Sequence, residues 1–252
     1  MNLLKLTISC LLILIVSYSV SNAQTSLLIT VDDTCLSGDG SNLSSLYNAD
    51  PQTGATSLIG PIGFNGVTGM AVLGDGRLVA SARADANGDR ISILIEINPF
   101  NGQGTLIGTI GNNNEGGCGR TPDLTYDAAT DTLYGIGFRC VPGNDHLNIT
   151  ELLRINQTTG EGTTIGQTGF FGGGNGLAIR DDGTLFSSEN EDFLTLNPLT
   201  GQGTLVANHD QDDFSMSAMD FQPGTGALFG IAFRFSDGAD LVTVKLSRIP
   251  IS

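Results

Sequence analysis

The sequence predicts an all-β chain, a β-propeller of about five four-stranded blades with its terminal blades incomplete or irregularly closed. Three observations carry this reading. One phrase is written four times: "NADPQTG" from Asn48, "INPFNGQGTLIG" from Ile97, "INQTTGEGTTIG" from Ile155 and "LNPLTGQGTLVA" from Leu196. A second alternates with it: "GMAVLGDGRLVAS" from Gly69, "DLTYDAATDTLYGIGFR" from Asp123, "GLAIRDDGTLFSS" from Gly176 and "SAMDFQPGTGALFGIAFR" from Ser217. Glycine supplies 35 of 252 residues, about twice its usual ~7% share. It follows no collagen period, and so suits a chain of many tight turns.

Taken in order, residues 1–23 read as a secretory signal. One basic residue, Lys5, precedes an apolar run from Leu11 to Val16, and Ser21-Asn22-Ala23 presents small residues for cleavage. The run is too short to span a bilayer, and Cys10 sits within the apolar stretch rather than after it, so no lipoprotein is expected. Residues 24–252 then form one propeller domain, secreted or periplasmic, with no membrane insertion.

Each copy of the first phrase is strand, turn, strand, with Asn or Asp before the turn and Gly54, Gly102, Gly160 or Gly201 late in it. Six residues on stand Gly60, Gly108, Gly166 and then Ala207. The second phrase is a further hairpin around Asp/Gly. One unit therefore holds four strands: a and b from the second phrase, c and d from the first. A four-stranded sheet has two apolar faces and cannot bury both alone; radial stacking of blades buries face on face. Strands nearest the axis need small residues, and Gly69, Ala71, Gly176, Ala178 and Ala218 supply them. A parallel β-helix has shorter coils and needs no hairpins, and a β-sandwich leaves the repeated text unexplained. The chain opens on a b strand ("LLITVDD") and closes on a c strand ("LVTVKLSRI"), so the first blade lacks its inner strand and the last its outer one.

The unit "LxxINPxTGxGTxIG…GLAxxxDGTLFG" resembles the propeller repeats of proteins exported by bacteria, mostly of unassigned function. The resemblance spans roughly residues 27–247 and implies a fold; it brings no catalytic motif.

Loss of Lys5 with the signal takes the formal charge from −15 to −16. That excludes nucleic acid, which is held by Lys and Arg on phosphates, and anionic membrane surfaces. A carbohydrate or a protein remains as partner. The a–b and c–d turns are alike, as scaffold should be. The b–c and d–a connections are expected to be long; they differ from blade to blade and emerge on the opposite face, which marks that face for binding. Residues just past each b strand, Asp33, Arg139, Glu191 and Arg234, are ligand-face candidates, with His209 in a d–a connection. Cys118 and Cys140 lie in neighbouring connections and are expected to form a disulfide, with Cys35 and Cys140 as the rival pairing. "DANGD" sets Asp85, Asn87 and Asp89 at alternating positions, a partial calcium loop without the closing glutamate. The plainer reading is a solvated loop, and no cofactor other than Ca2+ is expected.

Catalysis has little to stand on. Only His146 and His209 are present, and "GxSxG" is absent. The rival to a binding module is a glycan hydrolase with two axial carboxylates, Asp123 and Asp220, on or beside a strands. The inner-strand stretches "GMAV" and "GLAI" carry no acid. A structural, envelope-associated module is the third reading.

Overall fold

The computed structural model describes residues 3–5, 15–19, 25–32, 43–50, 53–86, 89–111, 120–141, 144–171, 174–190, 192–208, 214–222, 226–234 and 238–244. Among these, two short strands, β1 (Leu3–Lys5) and β2 (Ile15–Ser19), precede β3 (Thr25–Asp32), β4 (Leu43–Ala49) and β5 (Thr56–Val72). Then come β6 (Leu78–Ala86), β7 (Asp89–Ile97), β8 (Gly104–Thr109), β9 (Arg120–Asp127), β10 (Thr132–Val141), β11 (Asn144–Ile155) and β12 (Gly162–Phe171). The last are β13 (Gly174–Ile179), β14 (Leu185–Glu189), β15 (Asp192–Leu196), β16 (Gly203–Asn208), β17 (Phe214–Phe221), β18 (Leu228–Arg234) and β19 (Gly238–Val244).

Every pairing is antiparallel between neighbours in the blade order. Blade 3 is β9 to β12, blade 4 is β13 to β16, and blade 5 is β17-β18-β19-β1. Blades 1 and 2 are joined in one sheet, β2 to β8, because β5 serves both. Its first half pairs with β4 as the outer strand of blade 1, and its second half pairs with β6 as the inner strand of blade 2. Gly63 (φ 81°) and Gly66 (φ 54°) bend it between the two duties.

The two positions that the repeat leaves unfilled are occupied by the N-terminal strands. β2 takes the inner place of blade 1 beside β3, and β1 takes the outer place of blade 5 beside β19. The inner strands β5, β9, β13 and β17 pack in succession, and β2 packs between β17 and β5 to complete the ring.

Apolar layers fill the seams between blades. Leu28, Leu46, Ile62, Met70 and Ala80 lie between blades 1 and 2, and Val79, Leu94, Ile110, Leu133 and Leu153 between blades 2 and 3. Ile136, Leu152, Leu177 and Leu185 fill the next seam, and Phe186, Phe193, Met219 and Phe221 the one after. Middle strands such as β7 are covered on both faces, so they read as continuous apolar runs, Ile93-Leu94-Ile95. Outer strands alternate and leave Leu58, Leu106 and Leu205 exposed.

The repeated phrase has two structural causes. The first lies within the turn. Gly54, Gly102, Gly160 and Gly201 take φ between 71° and 80°, and each donates its N–H to the carbonyl of Asp50, Asn98, Asn156 or Asn197 at 2.8 Å. The same Asx side chains accept from amides inside the turn, as Asn98 Oδ1 does from Phe100 N at 2.9 Å. The second cause lies between blades. A Cβ at Gly60 would strike the carbonyl of Asn101, one at Gly108 that of Thr159, and one at Gly166 that of Thr200. Each outer-strand glycine thus receives the c–d turn of the following blade.

Candidate functional site

Two kinds of surface bound the ring. On the a–b and c–d side the turns satisfy their own hydrogen bonds, as described above. On the other side the structure revises the expected long loops. Only Asn87 and Gly88 separate β6 from β7, only Pro142 and Gly143 separate β10 from β11, and only Asn190 and Glu191 separate β14 from β15. The b–c connections of blades 2 to 4 are therefore tight hairpins, of which Asn-Gly is the commonest sequence signal. The long connections on this face are residues 33–42, 112–119 and 209–213, all outside the described residues.

Asp33, Cys35, Asn87, Cys118, Glu191 and His209 lie outside the described residues. So do the side chains of Asp85, Asp89, Arg139, Cys140 and Arg234, whose backbones lie in strands. The register opposes Asp85 to Arg90 and Ala86 to Asp89, so the two aspartates belong to opposite arms of a hairpin rather than to one loop. Among the described residues no three His, Cys, Asp or Glu side chains cluster as a metal site.

Asp123 is fully buried in β9. Its Oδ1 accepts from the N–H of Leu124 at 2.9 Å. Its Oδ2 accepts from Leu177 N in β13 at 2.8 Å and from Met219 N in β17 at 3.3 Å. One carboxyl therefore ties together the inner strands of blades 3, 4 and 5. Burial pushes its pKa well up, against the three amides, and the charge of Asp220 pushes it further. The inner strand of blade 2 also comes close to this residue: a Cβ at Gly69 would lie 2.8 Å from the Asp123 Cα. Asp220 is half-buried in β17 and opposes Phe229 of β18.

Neighbouring blades are also tied by a recurrent hydroxyl. Thr30, Ser81 and Ser188 occupy the same b-strand position. They donate to Val67 O at 3.0 Å, Thr121 O at 2.7 Å and Met216 O at 3.2 Å, each in the next inner strand.

One position departs from the repeat, and sequence reasoning missed it. Leu27, Leu78, Leu133, Leu185 and Leu228 open the five b strands in equivalent register. Four residues on stand Val31, Ala82, Gly137, Glu189 and Ala232. Glu189 is fully buried on the face of blade 4 that meets blade 3. Its Oε2 accepts from Thr168 Oγ1 at 3.1 Å, while Oε1 has no partner. Thr168 is itself a departure, standing where the outer strands of blades 1 and 2 carry buried Ile62 and Ile110. Burial pushes the Glu189 pKa up to about 7; the Thr168 and Thr150 hydroxyls pull against this, and Asp192 adds to it.

An open cleft of about 440 Å³ lies on the short-turn side of blade 2, between the Asp75–Arg77 turn and the Asn98–Gln103 turn. Its cation is already committed, since Arg77 meets Asp75 at 2.8 Å and Glu96 at 3.7 Å.

No protein-family model matches the chain, and no curated protein matches it in sequence. Solved structures do match, and they are β-propellers. The PQQ-bound aldose sugar dehydrogenase of Streptomyces coelicolor aligns at a TM-score of 0.51 and 14% identity, over 83% of this chain and 72% of that one. A chain of a nidogen/laminin complex aligns at 0.53 and 13%, over 88% and 76%. A glucose dehydrogenase aligns at 0.53 and 10%, over 88% and 79%. These likenesses establish the propeller fold; at such identities they carry nothing about chemistry. Among the described residues no helix is long and apolar enough to cross a membrane.

Proposed function

We propose that the protein is an exported, acidic binding module, secreted or periplasmic, that takes a carbohydrate or a protein on the face bearing residues 33–42, 112–119 and 209–213. One observation supports this above the others: the two faces differ in kind. The turn face is uniform and hydrogen-bonded to itself, whereas these three connections share no text and carry Asp33, Cys35, Cys118 and His209. A rigid ring with variable segments on one face is the arrangement by which scaffolds present binding surfaces.

The hydrolase alternative fares worse. A general acid or nucleophile must reach the scissile bond, and Asp123 has no exposure and spends both oxygens on backbone amides. Its role in this reading is to hold the ring. Arg139, Glu191 and Arg234 stay with the proposal as ligand-face residues at the ends of b strands. Cys118 and Cys140 are proposed to be bridged, closing a loop worth roughly 3 kcal/mol in the chain-entropy model.

Glycan-array binding by residues 24–252, with release of reducing ends followed in parallel, tests the reading. Saturable binding without turnover is expected. Turnover that survives Asp123→Asn or depends on Asp220 overturns the non-enzymatic assignment.

A further inference from the structure

Three buried oxygen atoms without a partner belong to one seam of the ring. They are Thr150 Oγ1 on β11, Ser187 Oγ on β14 and Glu189 Oε1 on β14, none with a hydrogen bond within 3.5 Å, although the Thr150 hydroxyl lies close enough to the Glu189 carboxyl to act on it. Ser187 and Glu189 are two apart on one strand and so point to the same side, toward blade 3. Thr150 opposes Phe138 on the blade 3 sheet, on the face that carries Ile136 and Leu152 into the same seam. Thr168 Oγ1 bridges the two blades, 3.1 Å from Glu189 Oε2 and 3.4 Å from Thr150 O. Asp192 is the cross-strand partner of Glu189, which brings a second carboxylate onto the same face. Asn208 Nδ2 donates to its Oδ1 at 2.9 Å.

Thr150 has buried hydroxyl counterparts in Ser44 and Ser92, but Ser187, Glu189 and Thr168 have no polar counterpart in the seams alongside. Where blade 4 has Ser187 and Glu189, blade 2 has Ala80 and Ala82, and blade 3 has Gly135 and Gly137. Where blade 3 has Thr168, blades 1 and 2 have Ile62 and Ile110. Polar groups have been set into both sides of one otherwise apolar joint. An unpartnered buried oxygen costs about 1–3 kcal/mol, so three in one seam are costly unless something occupies them.

Every group here offers oxygen. There is no nitrogen or sulfur ligand among them, and no salt bridge to Glu189 among the described residues. A hard cation takes this donor set, and two carboxylates match the charge of a divalent one. We propose that the seam between blades 3 and 4 binds Ca2+ through Glu189 and Asp192, with Thr150 and Thr168 completing the oxygen shell. The site is distinct from the Asp85–Asp89 hairpin, and does not rest on the binding-face reading.

Thermal melting in EGTA and in Ca2+ tests the proposal. At a hundredfold excess of Ca2+ over its dissociation constant, the midpoint rises by about 5–10 °C. Asp85→Asn/Asp89→Asn keeps the shift, and Glu189→Gln abolishes it. Should Glu189→Gln fail to fold, equilibrium dialysis of Ca2+ on Thr168→Val replaces it, with affinity expected to fall at least tenfold. An unchanged midpoint, a shift that survives Glu189→Gln, a shift lost in Asp85→Asn/Asp89→Asn, or unaltered affinity in Thr168→Val overturns it.

Discussion

Ala207 stands where the repeated phrase would have a fourth glycine, and the structure supplies the reason. Gly60, Gly108 and Gly166 each receive the c–d turn of the next blade. Among the described residues blade 5 runs to β19 and takes β1, from the other end of the chain, as its outer strand, so no c–d turn of the repeated kind meets Ala207 there. Gly108→Ala is therefore predicted to cost about 1–3 kcal/mol by overpacking, while Ala207→Gly costs under about 1 kcal/mol, from chain entropy and strand propensity; urea denaturation midpoints decide. Asp123→Ala strands the amides of Leu177 and Met219 and should cost about 3 kcal/mol or more. Glu189 gives a signed pH effect. Its folded pKa of about 7 lies above the ordinary 4.5, so the folded chain binds the proton more tightly. Its contribution is whole below pH 4.5 and is lost as pH rises toward and through 7. In EGTA, Glu189→Gln is expected to flatten the fall in melting temperature between pH 5 and 8; an undiminished fall places its origin elsewhere.

Strands were legible in the sequence because the blade repeats. Four copies of each phrase fix strand type, turn chemistry and the need for small inner residues. A methyl added at Gly69 or Gly176 would indeed come within 3 Å of a neighbouring strand. Connection length was legible only where Asn-Gly was given its hairpin meaning: the segment read as an irregular loop at Asp85–Asp89 is the tip of β6 and β7. The candidate site was harder. Asp123 stood out as an acid on an inner strand, but periodicity within a blade is silent about which other blades its carboxyl reaches. Glu189 was hidden behind Glu191, the acid just past the strand. Aligning the five b strands by their opening leucines would have exposed an acid in a column of Val31, Ala82, Gly137 and Ala232. At this scale the shared hydroxyl also predicts: Ser81→Ala should cost about 1 kcal/mol, since Thr121 O keeps only a weak second donor in Thr68 at 3.4 Å.

The ring as a whole depends on how its ends meet. The segment with the features of a secretory signal also supplies β1 and β2, which fill the outer place of blade 5 and the inner place of blade 1. Cleavage after Ala23 would take both away. A chain of residues 15–252 is accordingly predicted to melt several degrees above one of residues 24–252; equal midpoints would mean that β2 adds nothing to closure. The acidic surface, the latch at Asp123 and the uniform turn face describe a rigid frame, and in the proposed reading the variable connections give that frame its use. Binding measured on matched variants tests that claim most directly. Take a glycan or protein ligand captured by residues 24–252, and compare its affinity for a chain with residues 112–119 and 209–213 replaced by Gly/Ser against one with Phe100→Ser and Leu199→Ser on the turn face. The account predicts loss of at least tenfold in the first and no change in the second. Retained affinity in the first, or loss confined to the second, would contradict it.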